Sequence, residues 1–219
     1  PHDLKKIKDR PEVLYYRGNI DILNEHKSIA VVGSRKISAV GAKLAYNAGS
    51  IIGKNGFNLV NGLALGCDAE ALKGALAAGG KCAVVLPCGI NEIYPKSNQW
   101  IAEEVLKQGG CLISEYPEGT RPEKYRFVQR DRLQSGMSQG VLVVEAMEKS
   151  GTMHTAEYAK KQNRRLACYY HGLLKYSTGN NVLENLYQAA VIKTNEDLEN
   201  YLCEIADIEE YTQLSFDFV

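Results

Sequence analysis

The chain has no net charge: 26 Lys and Arg balance 26 Asp and Glu over 219 residues. It has no apolar run near the roughly 20 residues that span a bilayer, and its start, PHDLKKIKDR, holds no hydrophobic signal core. No membrane association is expected. The first residue is not Met, so the native N-terminus is expected upstream. None of the six cysteines (Cys67, Cys82, Cys88, Cys111, Cys168, Cys203) forms a C-x-x-C pair, and most lie in apolar runs such as CAVVLPCG and RLACYY. They read as reduced core thiols of a cytoplasmic protein, not as a disulfide framework or a zinc site. His2, His26, His154 and His171 lack metal-ligand spacing, so no metal site is expected. With 45% hydrophobic residues, wholesale disorder is excluded.

The common catalytic signatures are missing as well. Gly33 and Gly41 do not fit G-x-G-x-x-G, Gly62 and Gly66 lack that spacing, and there is no G-x-x-x-x-G-K-[ST] loop. Dinucleotide-dependent hydride transfer and Walker-type ATP hydrolysis are therefore disfavoured. No G-x-S-x-G elbow, Ser-His-Asp order or Cys-His pair supplies a nucleophile. Glu115 and Glu145 end strands where a base or a ribose contact would be useful, but nothing pairs with them convincingly. Binding is the better default, with no cofactor.

What the chain does have is alternation. Strand candidates are Ile29–Gly33, Asn58–Gly62, Cys82–Leu86, Cys111–Tyr116, Val141–Ala146, Arg165–Tyr170 and Ala189–Lys193. Helical stretches fall between them at about 39–55, 68–79, 97–108, 128–138 and 153–163. Continuous apolar strands separated by helices call for an α/β fold: a Rossmann-like, doubly wound, mostly parallel sheet with helices on both faces. Residues 1–28 are expected as an extended prelude packing on the sheet edge, residues 29–194 as the Rossmann-like body, and residues 195–219 as an acidic helix and tail. The tail carries eight acids and no Lys or Arg, leaving 26 bases against 18 acids in residues 1–194, a net +8. Such a body suits a polyanionic partner, or is simply an ordinary solvated surface.

Ligands of parallel sheets bind outside the carboxyl ends of strands. Three strand-to-helix junctions there carry Gly, two of them with hydroxyl residues: Gly33, Ser34, Arg35 and Ser38; Gly62 and Gly66; and Ser150, Gly151, Thr152 and Thr155. Ser38 is a plausible N-cap, and backbone N–H groups at such helix starts suit phosphate. Each junction alone is also an ordinary βα turn. Basic and aromatic residues follow the next strands: Tyr94, Lys96 and Asn98, then Arg126, Phe127, Arg130 and Arg132. Tyr94 and Phe127 read first as core and otherwise as faces on which bases stack, while the arginines read either as phosphate contacts or as partners of Asp131 and Glu123.

The ordered blocks PEVLYYRGN, IAVVGSRKISAVG, NGLALGCDAEALKGALAAGG, VVLPCGINEIYPKSN, LISEYPEGTRPEKYRFVQRDRLQSGMS and VLVVEAMEKSGTMHTAEYAKKQNR resemble the DNA-processing DprA (Smf) family from about Pro11 to Ala190. The resemblance implies a dimeric, ATP-independent, non-enzymatic binder of single-stranded DNA. That family acts in DNA uptake and natural transformation and helps load a RecA-type recombinase. Carried over by position, Arg35 and Lys96 match basic residues that contact DNA phosphates. Arg126, Arg130 and Arg132 fall in the family's basic block, and Ser150–Thr155 in its SG-x-x-x-TA block. The family usually has Asn where this chain has Asp131, between the two arginines.

The same fold family includes nucleotide sensors and nucleoside-monophosphate phosphoribohydrolases. Glu145 or Glu157 would then serve the ribose, but of the P-G-G-x-G-T-x-x-E block only Ser150-Gly151-Thr152 remains. Gln213–Phe218 reads as a terminal strand or apolar plug, and secondarily as a peptide that docks on the bacterial sliding clamp.

Overall fold

The computed structural model describes residues 1–216, with side chains through Asp207. Eight strands form one sheet: β1 (Tyr15–Gly18), β2 (Ser28–Val32), β3 (Asn58–Asn61), β4 (Cys82–Val85), β5 (Cys111–Ser114), β6 (Gly140–Val143), β7 (Arg165–Tyr169) and β8 (Ala190–Ile192). Their order is β1-β5-β4-β3-β2-β6-β7-β8, parallel throughout except for β1, which pairs antiparallel with β5. This is the doubly wound sheet that the alternation calls for. Strands β2 to β6 are buried along their whole length, because helices cover both faces.

One face carries α2 (Ala39–Lys54), α3 (Cys67–Ala77), α4 (Gln99–Lys107) and the start of α8 (Asn195–Phe216) over Ile29, Leu59, Val84 and Leu142. The other carries α5 (Lys124–Gly136), α6 (Thr152–Lys161) and α7 (Thr178–Tyr187) over Ala30, Val60, Val85 and Val143. Small residues set how closely α2 and α3 approach. A methyl group added at Gly49 or Gly74 would overlap backbone of the facing helix, at Ala71 and Tyr46 respectively.

Residues 1–28, expected as extended, also contain a 3-10 turn at Asp3–Lys6 and the short helix α1 (Ile22–Glu25). Leu4, Ile7, Ile22 and Leu23 are buried in the core under α5, and Arg164 clamps the turn by bonding Asp3 and Gly136 backbone oxygens at 3.0 and 2.9 Å. Helix α7 was not expected at all. Its TGNN start is poor in helix formers, but Asn180 is fully buried and ties the ends of β6 and β7 with three bonds: its Nδ2 donates to Val144 and Tyr169 oxygens at 2.9 Å each, and its Oδ1 accepts from Ala146 N at 2.9 Å. Five cysteines are buried, but Cys203 is exposed, so it is not a core thiol. The Gln213–Phe218 peptide lies outside the residues whose side chains are described.

Candidate nucleic-acid interface

The chain leaves β2 toward β3 on one side and returns from β5 to β6 on the other. The carboxyl ends of β2 and β6 therefore form the topological switch point, where an open α/β sheet places its ligand crevice. A cavity of about 880 Å³ lies there.

Its first wall is the loop from β2 to α2. Ser34 N donates to Glu145 O at 2.7 Å, and Ser34 O accepts from Cys67 N at 3.1 Å, so the loop is tied to both neighbouring junctions. Ser38 caps α2, its Oγ accepting from Gly41 N at 3.0 Å. Glu145 is fully buried. Its Oε2 accepts from Ser38 N at 2.7 Å and its Oε1 from Tyr176 N at 3.2 Å, so each carboxylate oxygen already holds a backbone donor. Gly66 takes φ +75°, and a side chain there would come within 2.5 Å of Ser34 O. Here glycine is required both for conformation and for space.

The opposite wall is α5, which presents Lys124, Phe127, Val128, Asp131 and Gln134 along one helical face. The Arg35 guanidinium reaches across the mouth and lies 5.0 Å from the Phe127 ring centroid. Tyr94 meets Phe127 edge-on, with centroids 5.6 Å apart. Tyr94 is 45% exposed and Phe127 half-buried on the cavity wall, so neither is a core residue as expected. The third wall is the start of α6, with Ser150, Gly151, Thr152, His154 and Thr155.

The floor is ionic. Arg130 is buried, donates to Val85 O at 2.9 Å, and sits 3.4 Å from Asp131 Oδ1. A methyl group on Gly62 would overlap its guanidinium. Asp68 accepts from Gly62 N at 3.0 Å and Ala64 N at 3.2 Å. Burial raises the Asp68 pKa, against the lowering pull of Arg130. Burial likewise pushes Asp131 up to about 6, with Arg130 opposing and Asp68 reinforcing. One guanidinium thus serves two buried acids.

The sequence model of the family described as DNA recombination-mediator protein A matches residues 1–202. The chain belongs to that family. The DNA processing protein DprA of Bacillus subtilis is 36% identical over 166 residues, which cover 76% of this chain and 56% of the relative. That of Streptococcus pneumoniae is 38% identical over 164 residues, 75% of this chain and 57% of the relative. The chain thus spans little more than half the length of these curated relatives. Among solved structures, DNA processing protein A from Helicobacter pylori, studied for its single-stranded DNA binding mode, superposes with TM-score 0.84 at 30% identity over 93% of each chain. A molybdenum cofactor binding protein from Rippkaea orientalis, with TM-score 0.57 and 16% identity over 83% of this chain and 98% of its own, shares the fold alone.

Within this DprA-family domain, Gly33, Ser34, Arg35, Arg130, Ser150, Gly151, Thr152 and Thr155 come together around the cavity. Ser38, Gly62, Gly66 and Asn98 do not line it; they shape it from behind. Asn98 is buried, its Nδ2 donating to Leu63 O at 2.9 Å and Ala64 O at 3.2 Å. Lys96 is exposed outside the lining, and Arg126 pairs with Glu123 at 3.1 Å and lies 5.0 Å from the Tyr116 ring centroid.

Arg130 and Arg132 depart from the expectation of phosphate contacts. Arg130 lines the floor, but its charge is spent on Asp131 and the Val85 carbonyl. Arg132 lies outside the lining and grips Glu115 through two hydrogen bonds, at 3.0 and 2.6 Å, which also removes Glu115 as a free base. Arg132→Ala is expected to leave single-strand affinity within about twofold while costing about 1–3 kcal/mol of stability, since Glu115 loses its partner. Anisotropy and urea denaturation of one preparation check both halves. Reasoning from sequence missed Lys124, Phe127, Val128, Asp131 and Gln134 as site residues. The available signal was their 3- and 4-residue spacing once α5 is started at Lys124 instead of 128.

Proposed function

We propose that this chain binds single-stranded DNA through the switch-point cavity, as a cytoplasmic DprA-type protein that is not an enzyme. The observation that carries the reading is the Arg35 guanidinium laid over Phe127 at the cavity mouth, at 5.0 Å. A cation for the phosphates and an aromatic face for a base then stand side by side, the two elements that sequence-tolerant strand binding needs. The likeness to the Helicobacter pylori protein supports the same assignment. Roles follow by position: Arg35 and Lys124 meet phosphates, Phe127 and Tyr94 stack, and the loops at Gly33–Ser34 and Ser150–Thr152 offer backbone and hydroxyl donors.

On this reading the chain acts in DNA uptake and natural transformation, as a homodimer that hands its strand to a RecA-type recombinase. The hydrolase alternative loses support from Glu145, whose two oxygens hold backbone donors.

The test is a fluorescence-anisotropy titration with a labelled single strand, the matching duplex, and a nucleoside monophosphate as competitor, at several salt concentrations. Single-strand binding stronger than duplex binding, with log affinity falling by about 0.7 per phosphate contact per decade of salt, supports the reading. Nucleotide binding without strand binding, or release of free base, would overturn it.

A further inference from the structure

The inner end of the cavity is built for something more specific than a stacked ring. Asp131 and Gln134 stand three residues apart on α5, on one face, and both line the cavity. Gln134 is 2% exposed; its Nε2 donates to Asp131 Oδ1 at 2.9 Å, while its Oε1 is buried with no hydrogen-bond partner. The bond from Gln134 and the contact with Arg130 Nε both fall on Asp131 Oδ1. Asp131 Oδ2 therefore has no protein donor among the described residues. Gln134 Oε1 is a buried acceptor left unpaired, which is costly, and Asp131 Oδ2 is an acceptor that no donor among the described residues fills; together they mark where ligand donors belong.

We propose that Asp131 and Gln134 make the cavity selective for a base with two neighbouring N–H donors, the N1–H and amino edge of guanine. This rests on the reading of the site as a single-strand binder. Thymine presents carbonyl oxygens on either side of its one ring N–H, and they would oppose the two acceptors. Adenine and cytosine offer an amino group beside a ring acceptor, which satisfies only one of them.

The preference is tied to the charge on Asp131. The groups that act on it are Arg130 on its own helix, Asp68 from α3, His154 from α6 and Arg35 from the β2–α2 loop. Burial and Asp68 hold the carboxyl at about 6, against the lowering pull of Arg130, His154 and Arg35. Above that pH the carboxylate accepts; below it, the protonated acid donates. The acid and Gln134 Oε1 then offer one donor and one acceptor, the complement of a ring nitrogen beside an amino group. The guanine preference should weaken as pH falls through about 6. The ratio between bases at one pH cancels whatever acts on every base alike.

The experiment displaces a labelled mixed-sequence 20-mer from the full chain with the trinucleotides dTdGdT, dTdAdT, dTdCdT and dTdTdT, at pH 7.5 and 5.5. At pH 7.5, dTdGdT is expected to compete about tenfold better than dTdTdT, within the range of a bidentate base contact. That ratio should fall severalfold at pH 5.5. Asp131→Asn and Gln134→Met should each bring it within about twofold at both pH values. Gln134→Met keeps every charge in place, and the thermal midpoint confirms that either variant is folded. Equal displacement by all four at pH 7.5, with the 20-mer still bound, would overturn this inference alone. A guanine preference unchanged in both variants would overturn it too. Failure to bind the 20-mer at all would instead count against the proposed function.

Discussion

Replacing Arg130 with methionine is expected to remove about 3–5 kcal/mol of folding stability, the penalty typical of a broken buried ion pair. The side chain is 4% exposed, and its guanidinium lies against Asp131 and donates to Val85 O. Methionine fills much of the same volume, so the loss reports charge more than packing. Two buried acids would then face each other without the cation that lowers both most, since Arg130 is the main lowering influence on both Asp68 and Asp131.

The pH dependence follows from the Asp131 pKa of about 6, above the roughly 3.9 of an unfolded Asp. The folded state binds more protons between those values, so this group's contribution to stability falls as pH rises from about 4 to about 6, and the loss is complete above the folded pKa. Without Arg130 the folded pKa moves higher still, and the window widens upward. Urea denaturation at pH 5 and pH 7.5 should therefore show a larger drop in the variant than in the parent. A variant within about 0.5 kcal/mol of the parent at pH 7.5 would refute the ionic floor, because that is the range of a neutral surface substitution.

Arg35→Ala is expected to weaken single-strand binding by about 1–3 kcal/mol and to reduce the salt slope by about one phosphate's worth. Unlike Arg130, Arg35 is exposed, with its guanidinium at the cavity mouth over Phe127. Removing it takes away an exposed cation beside the ring. Phe127→Ala should lose a similar amount with the salt slope unchanged, since stacking releases no counterions. The double variant should lose less than the sum of the two, because the residues touch and each single change already disturbs the pair. An Arg35→Ala protein with unaltered affinity and slope would remove Arg35 from the interface.

The sites of these two substitutions show how differently one residue type behaves. Arg35, Arg130 and Arg132 are indistinguishable as cations in the sequence, and the motif around the last two reads as a basic block. Helix α5 turns Arg130 inward, where Gly62 leaves room and β4 offers a carbonyl 45 residues away. It turns Arg132 toward Glu115 just after β5. Only Arg35, on a loop outside the sheet, is left at the mouth. Phe127 was misread for a related reason: aromatic character says that a ring wants cover, and a cavity wall with a guanidinium on top provides it as well as a core does.

The chain alone determined its architecture and its family. Continuous apolar strands at β2 to β6 can be satisfied only when covered on both faces, and that demand already specifies a parallel sheet with crossover helices. The three glycine-bearing junctions were equally legible, since local backbone geometry restricts which residues can stand there. Tertiary structure alone decided which cations remain free, which carboxylates are already bonded, and that a segment as poor in helix formers as TGNN becomes α7 through the three bonds of Asn180. Those outcomes depend on strand order and on atoms tens of residues apart. Desolvation and hydrogen bonding act through space, and sequence spacing does not record them.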